Sequence, residues 1–140
     1  MTTKAYLSQA MRFDAIIKSK IKEVERYKDL ISCISVESRE DRIQSSGNKD
    51  KIGEYCSRIV DLDTEIDTME QVRDRIIRQI EGIDNLDYYK LLSGVYLYGK
   101  KVPEMCRELY VSKPTAYKKY NESLENFEKK YGKTYLDNNK

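Results

Sequence analysis

Two long hydrophobic seams of helical period constrain this chain more than any other feature. The first runs through Ala10, Phe13, Ile17, Ile21, Val24, Tyr27, Ile31 and Ile34 in steps of three and four, with no Gly or Pro in residues 4–34. Such spacing draws an apolar stripe along one side of a helix roughly 45 Å long. The second runs through Ile52, Tyr55, Ile59, Leu62, Ile66, Met69, Val72, Ile76, Ile80 and Ile83. Asp61, Asp63, Glu65, Asp67, Glu70, Arg73, Asp74, Arg75 and Arg78 lie between these positions and make a solvated face. Two helices of nearly equal length bury both stripes most economically by packing antiparallel, as a coiled-coil hairpin. Ile16, Leu30, Val60 and Ile77 fall off the stripes and widen the apolar surface. That surplus predicts a homodimer through the hairpin, with a four-helix core.

Between the seams, SVESREDRIQSSG loses the period and ends in a turn signal. It predicts a polar loop over about 35–48, with Asn48 as N-cap of the second helix and Asp50 in its first turn. Gly82 and Asp84-Asn85 end that helix. Leu86–Tyr98 is apolar almost all round, as the central helix of a small bundle would be. A short helix follows over Val102–Leu109, with Pro103 in its first turn, where a missing N–H costs little. Met105, Cys106 and Leu109 share one face of it. Tyr110-Val111 breaks the pattern, and Ser112 offers an N-cap oxygen to a further helix whose buried face carries Ala116, Tyr120, Leu124 and Phe127. Gly132 reads as its stop. The expected fold is therefore all-α: a hairpin over 1–84, a helix-turn-helix bundle over 85–132, and a flexible tail over 133–140.

Composition excludes whole classes of chemistry. The chain has no His, so Ser-His-Asp, Cys-His and His-metal arrangements cannot form within it. SSGNKDK lacks the spacing of a phosphate-binding loop, and Asp61, Asp63 and Asp67 lack the glycine and terminal glutamate of a calcium loop. Carboxylates on these helices read as a charged coiled-coil face rather than as an acid–base pair. The expectation is no enzyme, no metal, no cofactor and no small-molecule substrate. There is no apolar run of about 20 residues, so no membrane span is expected. The N-terminus lacks the apolar core of a signal peptide. Cys33, Cys56 and Cys106 are odd in number and scattered, which points to a reducing, cytoplasmic setting. Cys33 and Cys56 read as at least half-buried fillers. Tyr88, Tyr89, Tyr96 and Tyr98 read as packing residues.

Net charge is +2, unevenly spread: residues 1–84 carry 15 basic and 17 acidic side chains, whereas residues 85–140 carry 11 and 7. The basic excess sits with the helix-turn-helix, where a polyanion would bind. No acidic residue occurs from Lys113 to Asn121. A recognition helix starting at Ser112 would turn Lys113, Tyr117, Lys118 and Asn121 toward base edges. The two lysines suit guanine, Asn121 adenine or phosphate, and Tyr117 a thymine methyl or the backbone. Pro114 offers apolar contact only. Ser112, Thr115, Lys100 and Lys101 suit phosphates. A single lysine is more simply read as a solvated charge; their clustering on one face favours double-stranded DNA.

The segment LDYYKLLSGVYLYGKKVPEMCRELYVSKPTAYKKYNESLENF resembles region 4 of bacterial sigma factors. There a helix ending in an aromatic or Leu-Gly precedes a short helix, a turn and a Ser-initiated recognition helix. From YLSQAMRFDAIIKSKIKEVERYKDLI through the polar element DRIQSSGNKDKI to the end, the chain resembles small phage- and prophage-encoded regulators of the sigma-like, late-gene or autolysin-regulator type. The polar element is the more specific part of the match. The resemblance implies transcriptional regulation, activation of phage genes, and contact with host RNA polymerase. Three positions depart from the pattern. Cys106 stands where Ala is usual, Tyr110 where Gly is usual, and Lys119 where a core aliphatic is expected. Two other classes share these features: a DNA-packaging subunit of small-terminase type, and a module that grips a protein without reading DNA.

Overall fold

The computed structural model describes residues 1–40 and 45–136, with side chains described within 1–35 and 49–136. Every regular element among them is helical. Helix α1 spans Thr3–Glu40, α2 Ser45–Glu81 and α3 Leu86–Tyr96. A 3-10 turn over Val102–Met105 leads into α4, Cys106–Leu109, and α5 spans Lys113–Tyr131, ending in a 3-10 turn over Gly132–Thr134.

The loop expected over about 35–48 is helical on both sides. Helix α1 continues to Glu40 and α2 starts at Ser45, so Asn48 is not an N-cap; residues 41–44 lie outside the described ones. Losing the hydrophobic period removes a packing signal but not helix propensity. Glu37, Arg39 and Glu40 are good helix formers, and one interior Gly47 costs only about 1 kcal/mol. The chain resolves into two compact units, residues 15–70 and residues 1–14 with 71–140, rather than dividing at residue 84.

Residues 15–70 form a hairpin unit of two helices. Lys20 meets Glu65 at 2.6 Å, Glu23 meets Arg58 at 3.7 Å, and the rings of Tyr27 and Tyr55 lie 5.4 Å apart. Partner numbers fall as α1 advances, so the helices are antiparallel. Ile17, Val24, Leu62 and Ile66 are buried, while Ile31, Ile34, Ile52, Tyr55, Ile59 and Met69 are half-buried. Ile21 leaves the seam, at 40% exposure. A strict heptad through Ile17, Val24 and Ile31 puts position d on Lys20, Tyr27 and Ile34, so the Lys20 stem takes the place expected for Ile21. Cys33 and Cys56 are exposed rather than buried fillers. Each sits beside a seam residue (Ile34 and Tyr55), and one step of about 100° turns it off the stripe.

Residues 1–14 and 71–136 build a bundle unit. Tyr6, Leu7 and Ala10 of α1 and Ile76, Ile80 and Ile83 from the end of α2 join Leu92, Tyr96, Leu124, Phe127 and Tyr135 in one core. The Tyr6 hydroxyl donates to Gln79 at 2.6 Å, and Asp14 pairs with Arg73 at 3.0 Å. Burial pushes the Tyr6 phenol above its ordinary range. The tail expected from residue 133 is ordered through Leu136. Tyr135 is buried, stacks on Tyr6 with ring centres 4.2 Å apart, and hydrogen-bonds Thr3 at 2.8 Å. An aromatic ring buried with its hydroxyl satisfied outweighs the entropy of ordering the few residues that carry it. Residues 137–140 lie outside the described ones. Lys130 donates to the Gly82 carbonyl and so caps the end of α2.

Candidate nucleic-acid interface

Helix α3 is the platform. Asn85 caps it by accepting from the Tyr88 amide at 3.1 Å. Leu91 packs with Met105 and Leu109 to brace α4. Gly94 is where Met105 approaches: a Cβ there would lie 2.5 Å from the Met105 sulfur. Gly99 makes the bend after α3 at φ 69°, a left-handed conformation that suits glycine. Tyr98, expected to pack, is 75% exposed, because α3 ends at Tyr96 and leaves it beyond the last helical turn.

Helix α5 is fastened to α3 by an ion pair and by tyrosine hydroxyls. Lys119 pairs with Asp87 at 2.6 Å, and the Tyr88 hydroxyl donates to Glu122 at 2.9 Å. At the other end of α3 the hydroxyls of Tyr96 and Tyr120 meet at 2.6 Å. Burial, then that hydrogen bond, drives the Tyr96 phenol well above its ordinary range. Ala116, Leu124 and Phe127 are buried as expected, and Tyr120 is half-buried. Lys119, standing where an aliphatic was expected, covers the helix joint with its stem and ends on a carboxylate. Cys106 is half-buried, as a small apolar residue would be there.

The turn between α4 and α5 takes the geometry that glycine usually supplies. Tyr110 adopts φ 56°, ψ 45°, and its amide donates to the Cys106 carbonyl. The Val111 amide donates to the same oxygen at 3.1 Å. Ser112 occupies the N-cap position, with its carbonyl accepting from Ala116, but its hydroxyl pairs with that of Thr115 at 3.0 Å instead of capping the helix. Pro114 sits in the first turn, where its missing N–H costs nothing.

Lys113, Tyr117, Lys118 and Asn121 are all exposed. Neither lysine pairs with a carboxylate among the described residues. Ser112 and Pro114 are exposed and Thr115 is half-buried. Lys101 is exposed, whereas Lys100 is half-buried and hydrogen-bonded to Glu108, which holds its ammonium above the ordinary lysine range. Lys100 is therefore engaged within the fold, and Lys101 has no side-chain partner among the described residues. The bundle unit also carries an open groove of about 530 Å³ bordered by Met1, Thr3, Leu124, Glu128 and Leu136; none of the nine candidate residues lines it. Among the described residues no cluster of three or more Cys, Asp or Glu side chains is placed to hold a metal ion, and no helix is long and apolar enough to cross a membrane.

A family model described as a protein of unknown function (DUF1492) matches residues 30–128, well over half of the chain, and the chain belongs to that family. No curated protein and no solved structure matches it.

Proposed function

We propose that this DUF1492 member is a sequence-specific, double-stranded DNA-binding regulator of transcription that inserts the start of α5 into a major groove. One observation carries the reading: an acid-free, solvent-facing edge of α5 on which Lys113, Tyr117, Lys118 and Asn121 stand exposed, on a helix anchored to α3 by an ion pair and by tyrosine hydroxyls. A groove-reading helix needs that combination of rigid support and uncommitted donors. Lys113 and Lys118 donate to guanine edges and Asn121 to adenine, while Tyr117 covers a thymine methyl. Lys101, Ser112 and Thr115 serve phosphates, and Pro114 contributes apolar contact. The chain works without catalysis, cofactor or metal. The resemblance to sigma region 4 and to phage regulators favours activation of phage genes beside the host polymerase.

The hairpin unit supports self-association. Ile21 and Val60 are 40% and 62% exposed, and most of the seam is only half-covered by one partner helix. A dimer would space two recognition helices over half-sites about one helical turn, roughly 34 Å, or a multiple of it apart.

Selection of bound fragments from a random duplex pool, followed by footprinting and by sedimentation of the free protein, tests the reading. Enrichment of one motif is expected. Lys118→Ala should weaken the selected site by about 1–3 kcal/mol and relax one base position. Lys101→Ala should weaken cognate and random duplexes alike and flatten the salt slope by about one unit. A wild-type chain that retains no duplex at low salt overturns the reading in favour of a protein-gripping module. A ring-shaped oligomer would favour the packaging class.

A further inference from the structure

Tyr110 is the outlier of the fold. Among the described residues it is the only non-glycine at positive φ, and it is also the most exposed large apolar side chain, at 94%. A left-handed conformation is costly for a residue with a Cβ, and a ring in water returns nothing. The turn is held by the backbone bonds to the Cys106 carbonyl, and the side chain adds nothing to it among the described residues. The Tyr110 ring belongs to neither core cluster, and it makes no aromatic or cation–π contact and no side-chain hydrogen bond among the described residues. The other two markedly exposed tyrosines, Tyr98 and Tyr117, sit on ordinary backbone. A strained, uncovered residue is evidence for a role outside the folded chain.

Its surroundings indicate the partner. Tyr110 stands in an acid-free run from Leu109 to Asn121, two residues before the N-cap of α5 and three before the exposed Lys113. The side chain is neutral, flat and amphipathic, with one hydroxyl donor at its tip. Beside a cationic edge, that chemistry fits the sugar-phosphate backbone: the phenol O–H donates to a phosphate oxygen and the ring lies along the deoxyribose.

We infer that Tyr110 is a DNA-backbone contact, presented to the strand flanking the groove by the left-handed turn between α4 and α5. The inference rests on the proposed DNA reading and adds a residue to it. Because the group is uncharged, its loss should weaken binding without releasing fewer counterions, which separates it from Lys101.

The test compares wild type with Tyr110→Gly and Tyr110→Phe on the selected duplex and on a random duplex, at several salt concentrations, with thermal melting alongside. Tyr110→Gly suits the left-handed turn, so it should melt at or above the wild-type temperature while binding both duplexes about tenfold more weakly, with the salt slope unchanged. Tyr110→Phe should lose the hydroxyl's share on both duplexes. Affinity for both duplexes unchanged in Tyr110→Gly overturns the inference and redirects the ring to a protein partner. A loss confined to the selected duplex overturns the backbone assignment in favour of base reading. A wild type that binds neither duplex sinks the underlying DNA reading, and this inference with it.

Discussion

The hairpin unit and the bundle unit use the same kind of helix and reach different packing. In residues 15–70 two helices face each other, and among the described residues there only Ile17, Val24, Leu62 and Ile66 are buried apolar side chains. In residues 1–14 and 71–136, the ends of those helices meet α3, α5 and Tyr135, and Leu7, Ile76, Ile80, Leu91, Leu92 and Phe127 reach 0% exposure. Two cylinders can cover only the line between them. Closing a core takes a third layer. Ion pairs cross both units, whereas the bundle adds tyrosine hydroxyls bonded to Gln79, Thr3, Glu122 and one another.

The largest effect that sharpens this contrast is expected from the bundle core. Phe127→Ala should cost roughly 3–5 kcal/mol, whereas Ile59→Ala in the half-covered hairpin seam should cost only about 1 kcal/mol. Urea denaturation with hydrogen exchange to locate the opening would check both; equal losses would erase the distinction. Gly94→Ala comes next, at about 1–3 kcal/mol, since the added methyl meets the buried Met105 thioether and displaces it from Leu91 and Leu109. A Gly94→Ala, Met105→Ala double variant should recover part of the Gly94→Ala loss. Tyr135→Phe should then cost about 1 kcal/mol by leaving the buried Thr3 hydroxyl without its partner. An unchanged melting temperature there would return residues 133–136 to the status of a tail.

Acid and alkali should separate the two units. Burial, and for Tyr96 the Tyr120 hydroxyl, raises the phenols of Tyr6, Tyr96 and Tyr135 in the folded bundle. Folded groups that keep their protons after the unfolded chain has lost them make stability fall as pH climbs above about 10. Tyr96→Phe should flatten that alkaline decline, measured by denaturation at a series of pH values. In the hairpin, hydrogen bonding to Lys20 lowers the Glu65 carboxyl. Its contribution is present above the ordinary carboxylate range and lost as pH falls through the lowered value. Glu65→Gln should remove this acid-side decline with little effect at neutral pH, the smallest change in the series because the pair is exposed to solvent.

The sequence by itself determined the helices, their antiparallel pairing and the face of α5 that meets solvent. Spacing of three and four is a local geometric statement, so Ala116, Leu124 and Phe127 could be assigned inward and Lys113, Tyr117, Lys118 and Asn121 outward before any fold was seen. Only tertiary structure decided which parts of the seams are sealed. Tyr6, Leu7 and Tyr135 are distant in sequence or outside the regular seams, and their burial depends on elements more than a hundred residues apart meeting in one core. Tertiary structure also decided that Lys100 is engaged by Glu108 while Lys101 has no side-chain partner among the described residues, and that Lys119 ends on Asp87. It left the Tyr110 ring in water on a left-handed turn. Periodicity encodes direction around one helix. Burial, charge pairing and strain are set by what stands opposite, and that is a property of the assembled chain.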